Sequence, residues 1–319
     1  MRVGAIDCGT NSIRLLIADI DPATYAVRDI VRRMEVVRLG YGVDRTGRLD
    51  PERIAATLAM CREYAAQCRE HGTVAIRFAA TSASRDASNA AVFVEGVQEA
   101  FGDLGVTPEV ISGAEEAALS FRGATGDLHA AGIPGPYHVV DIGGGSTEFV
   151  LGTTDVDASL STDVGCVRLT ERHLRSDPPT EAEVAAARAD VEAAINAAAD
   201  VVPLDRTATL VGLAGSVTTV TAHALALAAY EPTAIHLSTM DAAAMHAACD
   251  DLIAMSRADR AALPFMHPGR VDVIGGGALV WRTVIDRVVA AAGEVPIVTS
   301  EHDILDGIAL SLVPRPIVP

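Results

Sequence analysis

One short pattern occurs twice in this 319-residue chain and constrains its fold more than any other feature. The chain opens with "VGAIDCGTNSIRLLIADI", and about 134 residues later it reads "HVVDIGGGSTEFVLG". The matched positions are Asp7 with Asp141, Gly9 with Gly143, Thr10 with Gly144, Asn11 with Gly145 and Ser12 with Ser146. An apolar-rich run follows each copy. The repeat therefore predicts two structurally related halves.

Each copy predicts a strand, a tight turn of Gly, Ser or Asn residues, and a second strand, because apolar runs flank turn formers on both sides. A Rossmann or Walker loop would lead into a helix instead. A glycine-rich turn can direct several backbone N–H groups into one anion-binding concavity. For a single copy, an ordinary hairpin is the simpler explanation, but two copies in register favour phosphate binding. The predicted phosphate-binding residues are Thr10, Asn11, Ser12, Gly143, Gly144, Gly145 and Ser146.

The basic residues exclude two mechanisms. All 25 are arginines, so neither a Walker-type phosphate loop nor a Schiff-base enzyme, both of which need lysine, is possible. The net charge of −17 disfavours nucleic acid or an anionic membrane as a partner. Residues 1–125 contribute −3 and residues 126–319 contribute −14. A polyanionic substrate would need local arginines, backbone N–H groups and metal ions.

The chain shows the marks of a soluble, cytoplasmic protein. Its N-terminus runs directly into a strand pattern and lacks the regions of a signal peptide. Residues 207–230 contain no acidic residue or arginine, but their glycines and hydroxyl residues favour a buried strand ("TLVGLAGS") and helix ("VTTVTAHALALAAY") over a membrane span. The five widely spaced cysteines predict free, buried thiols.

Three further segments predict elements of an α/β fold. "VAIRFAAT", residues 74–81, is typical of a buried strand. Asp50 followed by Pro51 predicts the start of a helix. A capping box that begins at Thr180 predicts the start of another helix, and the alanine-rich composition after it predicts that this helix is long.

Two adjacent glutamates at the start of a predicted helix are candidates for a catalytic base. In "ISGAEEAALSFRG", Ser112 fits the N-cap and Glu115 the N3 position of a capping box, so Glu115 is expected to reach back to the cap. Neighbouring helical side chains project about 100° apart, so both glutamates cannot face one site. Glu116 remains as the candidate base, although both could merely favour the helix N-terminus.

Arg85 follows the strand and turn "FAATSAS", where its planar guanidinium could bind a phosphate. A solvated arginine at a helix start is the alternative. Ser82 and Ser84 are further candidates for hydrogen bonds to phosphate.

Carboxylates flank the glycine turn of the second copy. Asp141 and Glu148 lie on opposite arms of the predicted hairpin and could together bind a hydrated Mg²⁺ ion. A divalent cation is the natural charge neutraliser in a chain without lysine. Asp7 occupies the matching place in the first copy. Any of these carboxylates could instead cap N–H groups of the turn.

Six motifs, in the order they occur, resemble those of the exopolyphosphatase/guanosine pentaphosphate phosphatase family: "AIDCGTNSIRLLIA", "AATSASR", "ISGAEEA", "VVDIGGGSTEFV", "GCVRLTERHL" and "LAGSVTT". "DVIGGG" and "SEHDILDG" follow where the family has its late motifs. The resemblance implies an α/β fold of two ribonuclease-H-like, actin-like ATPase domains flanking a cleft. The first would cover residues 1–125 and the second residues 126–299, with a helix within residues 300–319 packing back on the first.

The resemblance also implies roles for individual residues. Glu116 matches the proposed water-activating glutamate of the family, and Arg85 matches an arginine of the substrate channel. Gly215 and Ser216, together with the run Gly275-Gly276-Gly277, match regions that bind adenosine in nucleotide-using relatives. Both regions could equally be tight turns with close helix packing.

The activity implied by the resemblance is Mg²⁺-dependent removal of terminal orthophosphate from inorganic polyphosphate. Another divalent cation could replace Mg²⁺, K⁺ could stimulate, and a homodimer is expected. The nearest alternative is hydrolysis of guanosine pentaphosphate at the same site. More remote alternatives are an actin-like kinase, which would form ADP from ATP and an acceptor, and an ATP-dependent assembly module. His302-Asp303 does not predict an HD-type phosphohydrolase site, because no further His/Asp pairs accompany it, and the chain is expected to be a two-domain short form.

Overall fold

The structure, a computed structural model, describes residues 1–314. The chain divides into two compact units, of which unit 1 comprises Met1–Gly123 and Ile304–Pro319 and unit 2 comprises Ala124–Asp303. The chain thus enters unit 2 two residues earlier than residue 126. It returns to unit 1 at Ile304.

Within residues 1–314, eleven strands form two sheets, one in each unit. The strands of unit 1 are β1 (Arg2–Cys8), β2 (Ser12–Ile20), β3 (Val27–Val36), β4 (Ala75–Ala80) and β5 (Glu109–Val110). Those of unit 2 are β6 (Tyr137–Ile142), β7 (Thr147–Gly152), β8 (Val156–Thr162), β9 (Thr209–Leu213), β10 (Thr239–Met240) and β11 (Ile297–Thr299).

Helices connect the strands, and one of them passes from the first unit into the second. The first five are α1 (Val43–Thr46), α2 (Pro51–Glu70), α3 (Ser82–Asp86), α4 (Ala90–Phe101) and α5 (Gly113–Ala130). Unit 2 continues with α6 (Cys166–Arg172), α7 (Glu181–Ala199), α8 (Ala214–Ala224), α9 (Pro232–Ile235), α10 (Ala242–Ala254), α11 (Arg257–Ala262) and α12 (Ile274–Ala292). The last helix, α13 (Ile304–Ser311), belongs to unit 1.

The two sheets repeat one topology. Unit 1 has the strand order β3-β2-β1-β4-β5, and unit 2 has β8-β7-β6-β9-β11 with β10 added at the edge. In each sheet, the first three strands of this order are antiparallel to their neighbours. The next two run parallel to the strand that opens the motif copy, which is β1 in unit 1 and β6 in unit 2. The hairpins predicted from the two motif copies are β1–β2 and β6–β7, which confirms them. The repeat therefore extends from the turns to the whole sheets.

Strand β1 alternates between two cores because successive side chains point to opposite faces of a sheet. Ile6 and Cys8 belong to a core with α2 and α4, whereas Val3 and Ala5 belong to a core with α13. Helix α13 approaches α5 very closely at Gly307, where an added Cβ would lie 2.0 Å from the carbonyl oxygen of Leu119. The C-terminal helix thus completes the second face of the unit 1 sheet.

The main core of unit 2 lies between its sheet and the helices α7, α10 and α12, around the fully buried Trp281. The glycine run at the start of α12 allows close packing there. An added Cβ on Gly275 would meet the Arg260 guanidinium at 2.5 Å, and one on Gly277 would meet the Ser216 hydroxyl at 2.2 Å. Close helix packing therefore accounts for these glycines.

Several predicted elements are confirmed. The strand predicted within residues 74–81 is β4 (Ala75–Ala80), of which Phe78, Ala79 and Ala80 are buried. Asp50 caps α2 with Pro51 in the first turn, and Thr180 forms a capping box with Glu183. All five cysteines are buried and free. No helix in the described part of the chain is long and apolar enough to cross a membrane.

The helix expected over "VTTVTAHALALAAY" differs at both ends. Helix α8 begins at Ala214, directly after β9, and ends at Ala224. Ala214 adopts φ 65, a left-handed conformation that is uncommon for residues other than glycine, and this makes the sharp strand-to-helix connection. Gly215 and Ser216 consequently lie in the first turn of a helix.

Candidate active site

The two motif turns have the same geometry. The Gly9 N–H donates to the Ser12 carbonyl at 3.0 Å, and the Gly143 N–H donates to the Ser146 carbonyl at 3.0 Å. Each turn connects the two strands of its motif copy, β1 to β2 in unit 1 and β6 to β7 in unit 2. The matched residues therefore have matched backbone structure in the two units.

The turn of unit 2 is fixed through its carbonyl groups. The Gly143 oxygen accepts from the Cys166 N–H, and the Gly144 oxygen accepts from the Val167 and Arg168 N–H groups. Gly165 packs so closely that its Cβ would lie 2.5 Å from the Gly144 oxygen. Within residues 1–314, the N–H groups of Gly144 and Gly145 have no acceptor. These donors suit an anion, and phosphate binding at this turn stays a prediction.

The turn of unit 1 has a similar arrangement. The Asn11 carbonyl accepts from the N–H groups of Val37 and Arg38, and the Thr10 carbonyl accepts from that of Gly40. The Thr10 hydroxyl is buried without a hydrogen-bond partner among the described residues. A buried hydroxyl without a partner is costly, so a bound ligand that accepts or donates a hydrogen bond here would relieve that cost.

The residues opposite each other across the two hairpins differ in charge. In unit 1, Asp7 pairs with Arg14, whose guanidinium donates to its carboxylate at 2.7 and 2.9 Å. In unit 2, the same cross-strand position pairs Asp141 with Glu148, two buried carboxylates, and Glu148 accepts from the Ser161 hydroxyl at 2.7 Å. Arg14 neutralises the first unit's carboxylate. We therefore restrict the proposed metal site to Asp141 and Glu148.

Glu116 and Arg85 are brought together in unit 1. Glu116 is 8% exposed in the first turn of α5, and Arg85 lies at the end of α3. One guanidinium nitrogen of Arg85 donates to Glu116 Oε2 at 3.0 Å and to the Ile111 carbonyl at 3.0 Å. The arginine thereby fixes the orientation of a buried carboxylate.

Glu115 is bound elsewhere, but not as the sequence predicted. The Ser112 hydroxyl accepts from the Glu115 N–H at 3.2 Å, which confirms Ser112 as the cap. The reciprocal half of the capping box is wrong: the Glu115 carboxylate is ion-paired with Arg77 of β4 and does not reach back to the cap. An ion pair with a fully charged arginine is the stronger interaction. Glu116 remains the carboxylate available for chemistry.

Two serines lie in α3, the helix that contains Arg85. Ser82 and Ser84 are both buried in α3, and the Ser84 hydroxyl has no hydrogen-bond partner among the described residues. Ser82 Oγ lies 3.5 Å from Asp86. In unit 1, the parallel strands β1, β4 and β5 end at one edge, because Cys8 is paired with Ala80 and Ala80 with Val110. The turn, α3 and the start of α5 follow these three strand ends, where α/β sheets commonly bind ligands.

The equivalent edge of unit 2 contains an arginine that the sequence did not single out. The Arg270 guanidinium covers Gly215, where a Cβ would lie 2.5 Å from it, and donates to the Thr219 hydroxyl at 3.1 Å. No carboxylate in the described part of the chain forms an ion pair with Arg270. Tyr230 lies under the guanidinium, 5.9 Å from ring centroid to Cζ, and burial raises the pKa of this tyrosine to about 12. Arg270 is a second candidate for binding phosphate.

A model of the Ppx/GppA phosphatase family matches residues 16–312. The chain belongs to this family. Exopolyphosphatase 2 of Mycobacterium tuberculosis is 52% identical over 315 residues, which cover 98% of each protein.

Solved structures confirm the expected fold of the family. An exopolyphosphatase-like protein superposes with a TM-score of 0.93 at 43% identity and covers 98% of this chain and 97% of its own. The Aquifex aeolicus PPX-GPPA enzyme superposes with a TM-score of 0.78 at 29% identity and covers 98% and 99%. The chain is therefore a member of a phosphatase family with two actin-like α/β domains.

Proposed function

We propose that this Ppx/GppA family member is an exopolyphosphatase that removes terminal orthophosphate from linear polyphosphate. The observation that carries the proposal is Glu116, a buried carboxylate oriented by Arg85. The same unit contains two buried hydroxyls, those of Thr10 and Ser84, that lack partners among the described residues. The name of the M. tuberculosis relative, Exopolyphosphatase 2, supports the choice of substrate.

Glu116 would act as the general base. A water molecule attacks the terminal phosphorus, its proton passes to the Glu116 carboxylate, and the bond to the bridging oxygen breaks. The products are orthophosphate and a chain shortened by one phosphate, with no covalent intermediate. A carboxylate in a fixed orientation suits this step, because the base must lie within hydrogen-bond reach of the water.

Phosphoryl transfer depends mainly on positioning and on charge stabilisation. In unit 1, the N–H groups of Thr10 and Asn11 and the Arg85 guanidinium would contact phosphate oxygens. In unit 2, the N–H groups of Gly144 and Gly145 and the Arg270 guanidinium offer the same chemistry. Backbone donors and arginines replace the lysine that this chain lacks.

The buried pair Asp141 and Glu148 fits Mg²⁺ or another divalent cation, because its donor atoms are carboxylate oxygens on directly opposed residues. When bound, the cation would neutralise charge on the phosphate chain. The cation would also offset the proximity of two buried carboxylates.

Guanosine pentaphosphate is the alternative substrate. The regions that the resemblance equates with adenosine binding are filled by this chain's own side chains: Arg270 against Gly215, Arg260 against Gly275 and Ser216 against Gly277. This packing supports an inorganic chain over a nucleotide. The cytoplasmic location and the homodimeric state both stay predictions. Light scattering after size-exclusion chromatography would measure the oligomeric state.

The test compares Glu116→Gln with Glu115→Gln, because these neighbours differ in their arginine partners. Phosphate release is measured from polyphosphates of several lengths, guanosine pentaphosphate and ATP, with and without Mg²⁺. Loss of a general base is expected to lower kcat by about 10²- to 10⁴-fold in Glu116→Gln, with little change in Glu115→Gln. Near wild-type turnover in Glu116→Gln would refute the base assignment. Faster release from guanosine pentaphosphate than from any polyphosphate would replace the substrate.

A further inference from the structure

Three side chains from distant parts of the sequence meet in unit 2, away from the motif turns. Asp127 lies on α5, His236 follows α9 directly, and His302 follows β11. His302 Nδ1 lies 2.5 Å and His236 Nε2 lies 3.5 Å from Asp127 Oδ2. One ligand atom of each residue lies within 4.8 Å of the other two. Among the described residues, this is the group of three or more His, Cys, Asp or Glu side chains whose spacing suits a metal ion.

The backbone fixes both histidines. Leu237, next to His236, adopts φ 58 and its N–H donates to the Thr299 carbonyl at 2.8 Å. The Ser300 hydroxyl donates to the His302 carbonyl at 2.8 Å and accepts from the His302 N–H at 3.0 Å. The two imidazole rings lie 4.6 Å apart between centroids. The backbone at both histidines is therefore already ordered, and little further ordering would be needed for the two rings to bind one ion.

The donor set distinguishes this cluster from the carboxylate pair. Two imidazole nitrogens and one carboxylate oxygen suit Zn²⁺, Co²⁺ or Ni²⁺, whereas Mg²⁺ prefers oxygen donors alone. Asp127 supplies the oxygen donor, and the ring nitrogens of both histidines lie within 3.5 Å of its Oδ2.

Access and space also suit an ion. The side chains of His236, His302 and Asp127 are 23%, 38% and 41% exposed. A metal ion can therefore enter from solvent, and water can complete a four-coordinate shell.

We propose that Asp127 Oδ2, His236 Nε2 and His302 Nδ1 bind a Zn²⁺-like divalent cation that ties α5 to the segments after α9 and β11. Coordination through His236 Nε2 leaves the ring proton on Nδ1, so the long 3.3 Å hydrogen bond from the Glu301 N–H to this nitrogen is given up. The Asp127–His302 hydrogen bond is replaced by shared coordination. The site is structural and separate from the residues proposed for catalysis, since Asp127 lies eleven residues after Glu116, about three helical turns.

The test uses the full-length protein after chelation, with Co²⁺ as a spectroscopic probe at about pH 7.5, where free imidazole is mostly neutral. Wild type should bind one Co²⁺ with visible d–d absorption, and Zn²⁺ should abolish that absorption and raise the Tm. The affinity for Co²⁺ should be far lower in His236→Gln and His302→Gln. The decrease should exceed the about 10- to 100-fold decrease that follows loss of an outer-shell partner of a metal ligand.

Two controls separate this site from other binding. His173→Gln removes an imidazole that bonds Asp190 at 3.0 Å, and Co²⁺ binding should remain at the wild-type level. Asp141→Asn should also keep both the d–d absorption and the Zn²⁺-induced rise in Tm. Absence of absorption and of a Tm rise in wild type would overturn the proposal, as would their survival in His302→Gln with an unchanged circular dichroism spectrum. Loss of both signals in Asp141→Asn would place the metal at the carboxylate pair instead.

Discussion

Two adjacent glutamates have different partners in this protein, and the difference depends on residues far away in sequence. Glu115 pairs with Arg77 on β4, whereas Glu116 pairs with Arg85 at the end of α3. The helical angle of about 100° between neighbours separates the two side chains. From the sequence, Glu116 was selected by that angle together with a capping box expected to bind the Glu115 carboxylate. The Ser112 cap is confirmed, but the Glu115 carboxylate binds Arg77 instead. The identity of the arginine that binds Glu115 was not predictable, because it depends on how β4 lies beside α5.

The two arginines allow a matched prediction at the scale of one side chain. Arg85→Lys keeps the charge but replaces the planar guanidinium, one nitrogen of which donates to both Glu116 and the Ile111 carbonyl, with an ammonium group on a different stem. A charge-assisted hydrogen bond contributes about 1.5–3 kcal/mol, so kcat/KM for polyphosphate should fall by about 10- to 100-fold. Steady-state kinetics measures the loss of activity, and circular dichroism checks that the variant is folded.

Arg77→Lys is the control for this experiment. It makes the same substitution in an arginine whose partners, Glu115 and Glu109, are more exposed than Glu116. Its activity should stay within about twofold of wild type, since an exposed ion pair contributes about 0–1 kcal/mol. Equal losses in the two variants would indicate a general effect of losing an arginine and would argue against a specific role for Arg85.

At the scale of elements, the junction of α5 and α13 depends on a glycine with no free space around it. Gly307→Ala would place a Cβ 2.0 Å from the backbone oxygen of Leu119, and a backbone atom cannot turn aside as a side chain can. Although alanine favours helices, we expect this overpacking to lower the free energy of unfolding by about 1–3 kcal/mol. Urea denaturation of the full chain measures the change.

Gly126→Ala is the matched control, because this helical glycine has nothing within 4 Å of an added Cβ. Here the helix propensity of alanine acts alone, and stability should rise by up to about 1 kcal/mol. If both variants were stabilised to the same extent, the close approach of α13 to α5 would be wrong.

The elements also show where sequence patterns stop being informative. Strand–turn–strand repeats and capping residues are local signals, so the hairpins, β4 and the starts of α2 and α7 were predictable. The start of α8 was not, because its sharp connection places Ala214 at φ 65, where glycine would be expected. The glycine run of α12 resembles a turn, and only tertiary packing shows that it admits Arg260 and Ser216.

At the scale of the molecule, the repeated motif predicted two related halves, and the sheets of the two units share one strand order. Clusters between distant segments were beyond the reach of such patterns. His302 was considered in the sequence only with Asp303, as an HD-type site that was not predicted, and His236 was not singled out, yet the two histidines meet at Asp127. Likewise, the repeat placed Asp7 and Asp141 at equal positions, but their cross-strand partners differ, because Arg14 stands where unit 2 has Glu148.

The charge of the whole chain leads to the last prediction. Unit 2 contains 24 acidic residues and 10 arginines, whereas unit 1 contains 18 and 15, so most of the net charge of −17 belongs to unit 2. A long polyphosphate is repelled by this field until screening shortens its range. The Debye length falls from about 30 Å at 0.01 M to about 10 Å at 0.1 M salt. Over this range, kcat/KM for long polyphosphate should rise several-fold.

The measurement keeps free Mg²⁺ constant and varies tetramethylammonium chloride, which avoids any specific effect of K⁺. Tripolyphosphate is the control, because its smaller charge feels less of the long-range repulsion and its kcat/KM should rise less. A fall in kcat/KM with salt would contradict the prediction. It would indicate that local cations such as Arg85 and Arg270 attract the substrate over distances at which the acidic surface was expected to dominate, since electrostatic attraction weakens when it is screened.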